Sequence, residues 1–116
     1  MPSTTTYSRG DIVVASLQFT DQVGRKKRPV LVVSSGQYNQ SQNDVIVAQI
    51  SSHKGHALYA GDHLLAKWSQ AGLAVPSVVR AKVFTIEKSR VTKRVGQVSL
   101  DDLQAIENNL RRVLGL

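Results

Sequence analysis

The chain of 116 residues is long enough to bury a core of its own and short for two domains of ordinary size, so a single domain is expected. Fifteen Lys and Arg against eight Asp and Glu leave a formal charge of +7, which favours a polyanionic partner, RNA or DNA before membrane, while a hydrophobic share of 41% excludes wholesale disorder. With no cysteine in the chain, a disulfide framework, a thiolate metal site and a cysteine nucleophile are all excluded.

The N-terminal segment MPSTTTYSRG is polar and lacks the apolar stretch of a signal peptide, and no apolar run approaches the ~20 residues of a membrane span; a cytoplasmic protein is expected. Residues 1–9 read as a flexible tail with Tyr7 as a point of attachment, ahead of a domain covering residues 10–116. The first strand falls at Gly10 to Leu17, where Ile12 and Val14 alternate with Asp11 and Val13. Gln18 to Lys27 reads as a polar loop whose end joins the cationic run Arg25 to Arg28. Pro29 then opens Val30-Leu31-Val32-Val33, an apolar run suited to a central strand buried on both faces. Ser34 to Asp44 is rich in turn formers, with room for one helical turn around Gln37 to Asn39, and Val45 to Ile50 alternates as a strand.

Ser51-Ser52-His53-Lys54-Gly55 reads as a turn, Ala57 to Leu65 as the source of one strand, and Gln70 to Pro76 as a loop marked by Gly and Pro. Ser77 to Phe84 and Val95 to Val98 follow as strands, with Thr85 to Lys93 between them. The last segment is the clearest. Ser99 suits an N-cap, Asp101 and Asp102 complement the helix dipole, and Leu103, Ile106, Leu110, Val113 and Leu114 line one face before Gly115 stops the helix. Several short strands and one terminal amphipathic helix point to a mainly β fold, a small curled sheet or barrel.

Three segments taken together resemble the MazF/PemK (Kid) family of toxins of type II toxin–antitoxin systems: Arg9-Gly10-Asp11-Ile12-Val13; Gly24 with Arg28-Pro29-Val30-Leu31-Val32-Val33; and Ser77-Val78-Val79-Arg80 with Phe84-Thr85-Ile86-Glu87-Lys88, Arg94-Val95-Gly96 and the terminal helix. The resemblance spans residues 9 to 116 in order. It implies an SH3-like barrel closed by the C-terminal helix, a homodimer, and an mRNA interferase: an endoribonuclease that cuts single-stranded RNA without metal or other cofactor, leaving 2′,3′-cyclic phosphate and 5′-hydroxyl ends. It also implies a MazE/PemI-like antitoxin whose acidic C-terminal segment blocks the site.

Cleavage through the substrate's own 2′-hydroxyl needs a proton acceptor, a proton donor and cations for the developing charge. Arg28 and Ser51 are the expected catalytic pair, Arg28 for the planar fork a guanidinium offers to phosphate oxygens and Ser51 for the hydroxyl that similar toxins place after this strand. His53, Arg80 and Ser52 are further candidates for catalysis or RNA binding. Arg25, Lys26, Lys27 and Lys82 are candidate RNA-binding cations, and the loop Gln18 to Lys27 is expected to cover the RNA groove. Lys82 stands where Kid-type relatives carry an acid; by the two-residue strand period it would pair with Arg80 as two cations and leave the general base open among His53, Glu87 and Asp62, or leave the proton to water while Arg28 and Ser51 stabilise the charge. No His, Asp and Glu spacing suits a metal. Tyr59 and Trp68 are candidate base-stacking aromatics. The alternatives are a non-catalytic SH3-like binding module and a CcdB-like gyrase-directed toxin, which the Arg28 and Ser51 pair would argue against.

Overall fold

The computed structural model describes residues 6–18 and 24–116. Its elements in chain order are β1 (Asp11–Gln18), β2 (Arg25–Val32), α1 (Gly36–Ser41), β3 (Asp44–Ser52), β4 (His63–Leu64), β5 (Ser77–Glu87), a 3-10 turn (Lys88–Arg90), β6 (Val91–Gln97) and α2 (Leu100–Leu114). The strands form one antiparallel sheet in the order β4, β5, β3, β2, β1, β6. This is the mainly β fold with a terminal helix expected from the sequence, with one correction: the sheet is not a closed barrel, since β4 and β6 are its two edges.

Both faces of the sheet are covered, which is why the central strands read as continuous apolar runs. On one face Ile12, Leu31, Ala48, Ile50 and Val79 pack with Ile106 of α2 and with Leu65 and Ala71 of the segment joining β4 to β5. On the other, Val13, Ala15, Val30, Val32, Val45, Val47 and Ile86 close around Tyr7. Residues 1–5 of the expected tail lie outside the described residues, while Tyr7 is buried and its carbonyl accepts from Asn39 Nδ2 at 2.9 Å.

β2 begins five residues before the apolar run that announced it. Arg25 to Arg28 pair in register with Gln18, Leu17, Ser16 and Ala15 of β1, and all four cations are exposed. Backbone pairing makes no demand on side-chain polarity, so a strand segment open to water carries no apolar signature. Pro29 fits here because the ladder to β3 starts only at Val30, and no bond is lost for want of an N–H. Between Ala57 and Leu65 only His63–Leu64 is strand; Ala60 and Gly61 form a turn and the rest is irregular.

The open side of the sheet is spanned by the segment joining β4 to β5. Its Ala71 and Gly72 lie so close to Val95 and Gly96 of β6 that a Cβ built on Gly96 would strike the Ala71 carbonyl. The glycine of the Arg94-Val95-Gly96 motif is therefore a packing requirement. Gly96→Ala is expected to cost about 2 kcal/mol of stability through overpacking against backbone, seen as a lower denaturant midpoint with unchanged slope. Asp11 has a similar structural part. Buried at 1% exposure, it accepts from Ser8 N at 2.9 Å, Arg94 Nη1 at 3.2 Å and Gln97 Nε2 at 3.5 Å, which ties the Arg-Gly-Asp segment to β6.

α2 starts as its sequence indicates. Ser99 Oγ accepts from Asp102 N at 3.1 Å, and Gly115 ends the helix in a left-handed conformation at φ 74°. Asp102 does more than the capping pattern foretold. Its buried carboxylate faces His63 Nε2 at 2.7 Å and accepts from Ala66 N and Lys67 N, each at 3.1 Å, clamping the helix start to β4 and the turn after it. Burial pushes this carboxyl upward, but the His63 ring and the two amides outweigh it, and the group sits below its ordinary value of 3.8. A lowered carboxyl contributes stability that is present above 3.8 and fades as pH falls through the folded-state value. Asp102→Asn is therefore expected to cost about 2 kcal/mol at neutral pH, and a smaller difference from wild type should remain in acid, measured by urea unfolding across pH.

Candidate active site

β3 lies between β2 and β5; β2 pairs with it from Val47 to Gln49, while β5 follows it on to Ser52. Its register with β2 pairs Val32 with Val47, Leu31 with Ala48 and Val30 with Gln49. Continued two residues beyond the last pair, that register sets Arg28 across from Ser51. Directly opposed residues share a face, and here it is the face of Val30, Val32 and Val47. Ser51 is half-buried and Arg28 exposed. Strand alternation turns Ser52 to the opposite face, which separates the two serines that the sequence left equivalent.

Arg28 Nη1 has one contact, a long 3.5 Å bond to the Lys27 carbonyl, and among the described residues no carboxylate pairs with it. Its guanidinium is available to an anion. Alternation places Lys26 on the same face as Arg28, with Arg25 and Lys27 on the other, so the cationic run is divided between two sides of β2. Of the loop expected to cover the groove, residues 19–23 lie outside the described residues; Gln18 belongs to β1 and Arg25 to Lys27 to β2.

On the other side of β3 the ladder is irregular. Ser51 pairs with Val78 and Ile50 with Val79, but Ala48 pairs with Val83, so Arg80, Ala81 and Lys82 form a bulge opposite Gln49. The two residues it adds preserve the two-residue period, since Val79 and Val83 both lie on the side of Ile50 and Ala48, yet Arg80 is not left as a bare cation beside Lys82. Arg80 instead extends Nε to Asp62 Oδ1 at 3.3 Å and lies over the Tyr59 ring at 5.1 Å, while Lys82 stays exposed. Asp62 thus neutralises Arg80 from the turn before β4.

Of the three candidate bases, the structure brings one to the pair. Glu87 is opposite Asp44, at the far end of β3 from Ser51, roughly 20 Å away at the rise of a strand. Asp62 is occupied, its two oxygens taken by Arg80 and by the Tyr59 amide. His53 follows β3 and continues its ladder, its N–H donating to the Pro76 carbonyl at 2.9 Å, so its side chain returns to the Ser51 face. Nδ1 is buried without a hydrogen-bond partner, and the ring sits 5.0 Å from that of His56.

Gln49 escaped the sequence reading. Across from Val30 and two residues before Ser51, it donates from Nε2 to Ser51 Oγ at 3.4 Å and occupies one of the hydroxyl's lone pairs. A glutamine in an otherwise apolar strand, Val45 to Ile50, was the available signal. Gln49 and Ser51 of β3 and His53 just after it thus follow one another at the two-residue strand period, and the β2 register continued past Val30 runs toward them through Arg28 and Lys26.

Residues 8–114 match the family described as PemK-like, MazF-like toxin of type II toxin-antitoxin system. The chain belongs to this family. Over 93 residues this MazF-like chain is 38% identical to the Endoribonuclease MazF2 of Mycobacterium bovis, covering 78% of the chain and 81% of that relative, and it is equally similar to the Endoribonuclease MazF6 of Mycobacterium tuberculosis. Among solved structures, the fold matches a mycobacterial endoribonuclease in complex with its cognate antitoxin, with a TM-score of 0.78, 19% identity and coverage of 95% of this chain and 96% of that one. It also matches MazF in a MazE-MazF crystal structure from Deinococcus radiodurans, with a TM-score of 0.75, 27% identity and coverage of 97% and 99%.

Proposed function

We propose that this chain is the toxin of a type II toxin–antitoxin system and acts in the cytoplasm as a metal-independent endoribonuclease on single-stranded RNA, above all mRNA. The observation that supports the reading is the β2 to β3 register, which pairs Val30 with Gln49 and, if continued two residues, would bring Arg28 opposite Ser51 beside a cationic strand segment. In the reaction, the 2′-hydroxyl of the nucleotide before the cut gives up its proton and its oxygen attacks the adjoining phosphorus. The bond to the 5′-oxygen breaks, that oxygen takes up a proton, and the products are a 2′,3′-cyclic phosphate and a 5′-hydroxyl.

Arg28 meets the charge that builds on the phosphate oxygens. Ser51, held by Gln49, turns its O–H to a phosphate oxygen or to the 2′-hydroxyl. His53 receives the 2′ proton, because imidazole is the side chain whose ordinary titration lies near neutrality and because it shares the face of Ser51. Lys26 and Lys82 hold flanking phosphates, and Arg25 and Lys27 extend the field that draws in RNA.

The same reading includes a homodimer and a cognate antitoxin of the MazE/PemI kind, whose acidic C-terminal segment would occupy the cationic groove. A non-catalytic module or a gyrase-directed toxin is not favoured, because the relatives similar along most of their length are named endoribonucleases. The test is incubation of the purified chain with a long single-stranded RNA in EDTA. Fragments with cyclic phosphate and 5′-hydroxyl ends support the reading, and intact RNA in EDTA overturns it.

A further inference from the structure

We infer that Tyr59 is a fixed stacking platform for an unpaired nucleobase flanking the scissile phosphate. Among the described residues Tyr59 is the one exposed aromatic, with 67% of its surface open, whereas Trp68 packs against the core. An exposed ring on a loose loop would imply little, but this one is braced from three elements. Residues 59–62 form a tight turn closed by Asp62 N to the Tyr59 carbonyl at 3.0 Å, with Gly61 at φ 87° supplying the left-handed conformation that side chains resist. The Asp62 carboxylate holds the Tyr59 amide at 2.9 Å and the Arg80 guanidinium at 3.3 Å. From α2, Asn109 Nδ2 donates to the carbonyls of Gly61 and Asp62, each at 3.4 Å. A Cβ on Gly61 would crowd both Ala81 of β5 and Val113 of α2, so the turn is also packed in place.

One face of the ring is covered by the Arg80 guanidinium at 5.1 Å from its centre, which leaves the other face for a ligand. Arg80 starts from β5 two residues beyond Val78, the partner of Ser51, so a single side chain separates the platform from the strand pair of the site. Nucleobases suit such a surface because each has a π-face, and a ring already ordered loses little freedom on binding. The inference rests on the nuclease reading given above.

The test uses the full chain and a short RNA containing a mapped cleavage site, with single abasic nucleotides introduced in turn on both sides of the cut. For wild type, one abasic position should raise KM roughly tenfold with kcat little changed, the scale of one lost base–aromatic stack. Tyr59→Ala should raise KM on unmodified RNA by a similar factor and erase the penalty at that position, while Tyr59→Phe, which keeps the ring, restores it. An abasic profile identical in wild type and Tyr59→Ala would overturn the proposal, as would a Tyr59→Ala variant altered in oligomeric state but not in KM. Failure of the nuclease reading looks different: wild type then cuts no RNA, and both ideas fall together.

Discussion

Replacing Arg28 with alanine is expected to slow single-turnover RNA cleavage by about 10² to 10³-fold, the loss found when one preorganised donor to a developing oxyanion is removed. Arg28 is exposed and without a paired carboxylate among the described residues, so the protein should fold as before and the loss should fall on chemistry. Arg28→Lys separates charge from geometry. A lysine restores the field but not the two parallel N–H groups, so it should recover RNA affinity and little of the rate. Cleavage by Arg28→Ala at the wild-type rate would remove this residue from the mechanism.

His53→Ala is expected to lower kcat by about 10²-fold, the lower end for loss of a general base. It should also flatten the rise of the rate with pH around neutrality. A general base must be unprotonated to accept the 2′ proton, which is why its removal should act on the pH profile as well as on the rate. The groups that surround it are His56, its ring 5.0 Å away, and Lys26, opposite it in the continued register. Should His53→Ala keep the wild-type pH profile with a merely lower rate, the histidine positions the β3 end and water takes the proton.

Much of the fold was legible in the residues. Ser99, Asp102 and Gly115 mark both ends of α2, and the apolar runs of β2 and β3 sit where both faces of the sheet are covered. The start of β2 was hidden because Arg25 to Arg28 are strand residues surrounded by water, and periodicity reports burial before it reports backbone shape. Ala57 to Leu65 supplies its one strand only at His63–Leu64, and the residues before it are held by side chains that no local pattern reveals, Asp62 on the Tyr59 amide and Asn109 of α2 on the Gly61 and Asp62 carbonyls.

The site divides along the same line. Arg28 and Ser51 were named through family resemblance, yet their opposition depends on a register that no local pattern encodes. The bulge at Arg80 to Lys82, opposite Gln49, has no local sequence signal, because it arises from the pairing of β5 with β3. Gln49 went unnoticed because its meaning lies in what it holds, the Ser51 hydroxyl.

The most direct measurement is a double-substitution cycle on the cleavage rate of one RNA, comparing Arg28→Ala, Ser51→Ala and the combined variant. Two groups serving a single phosphodiester act as a unit, so the combined variant should be little slower than the slower single one. Losses that multiply in full would mean that the two side chains act at separate places, and the shared site would have to be abandoned.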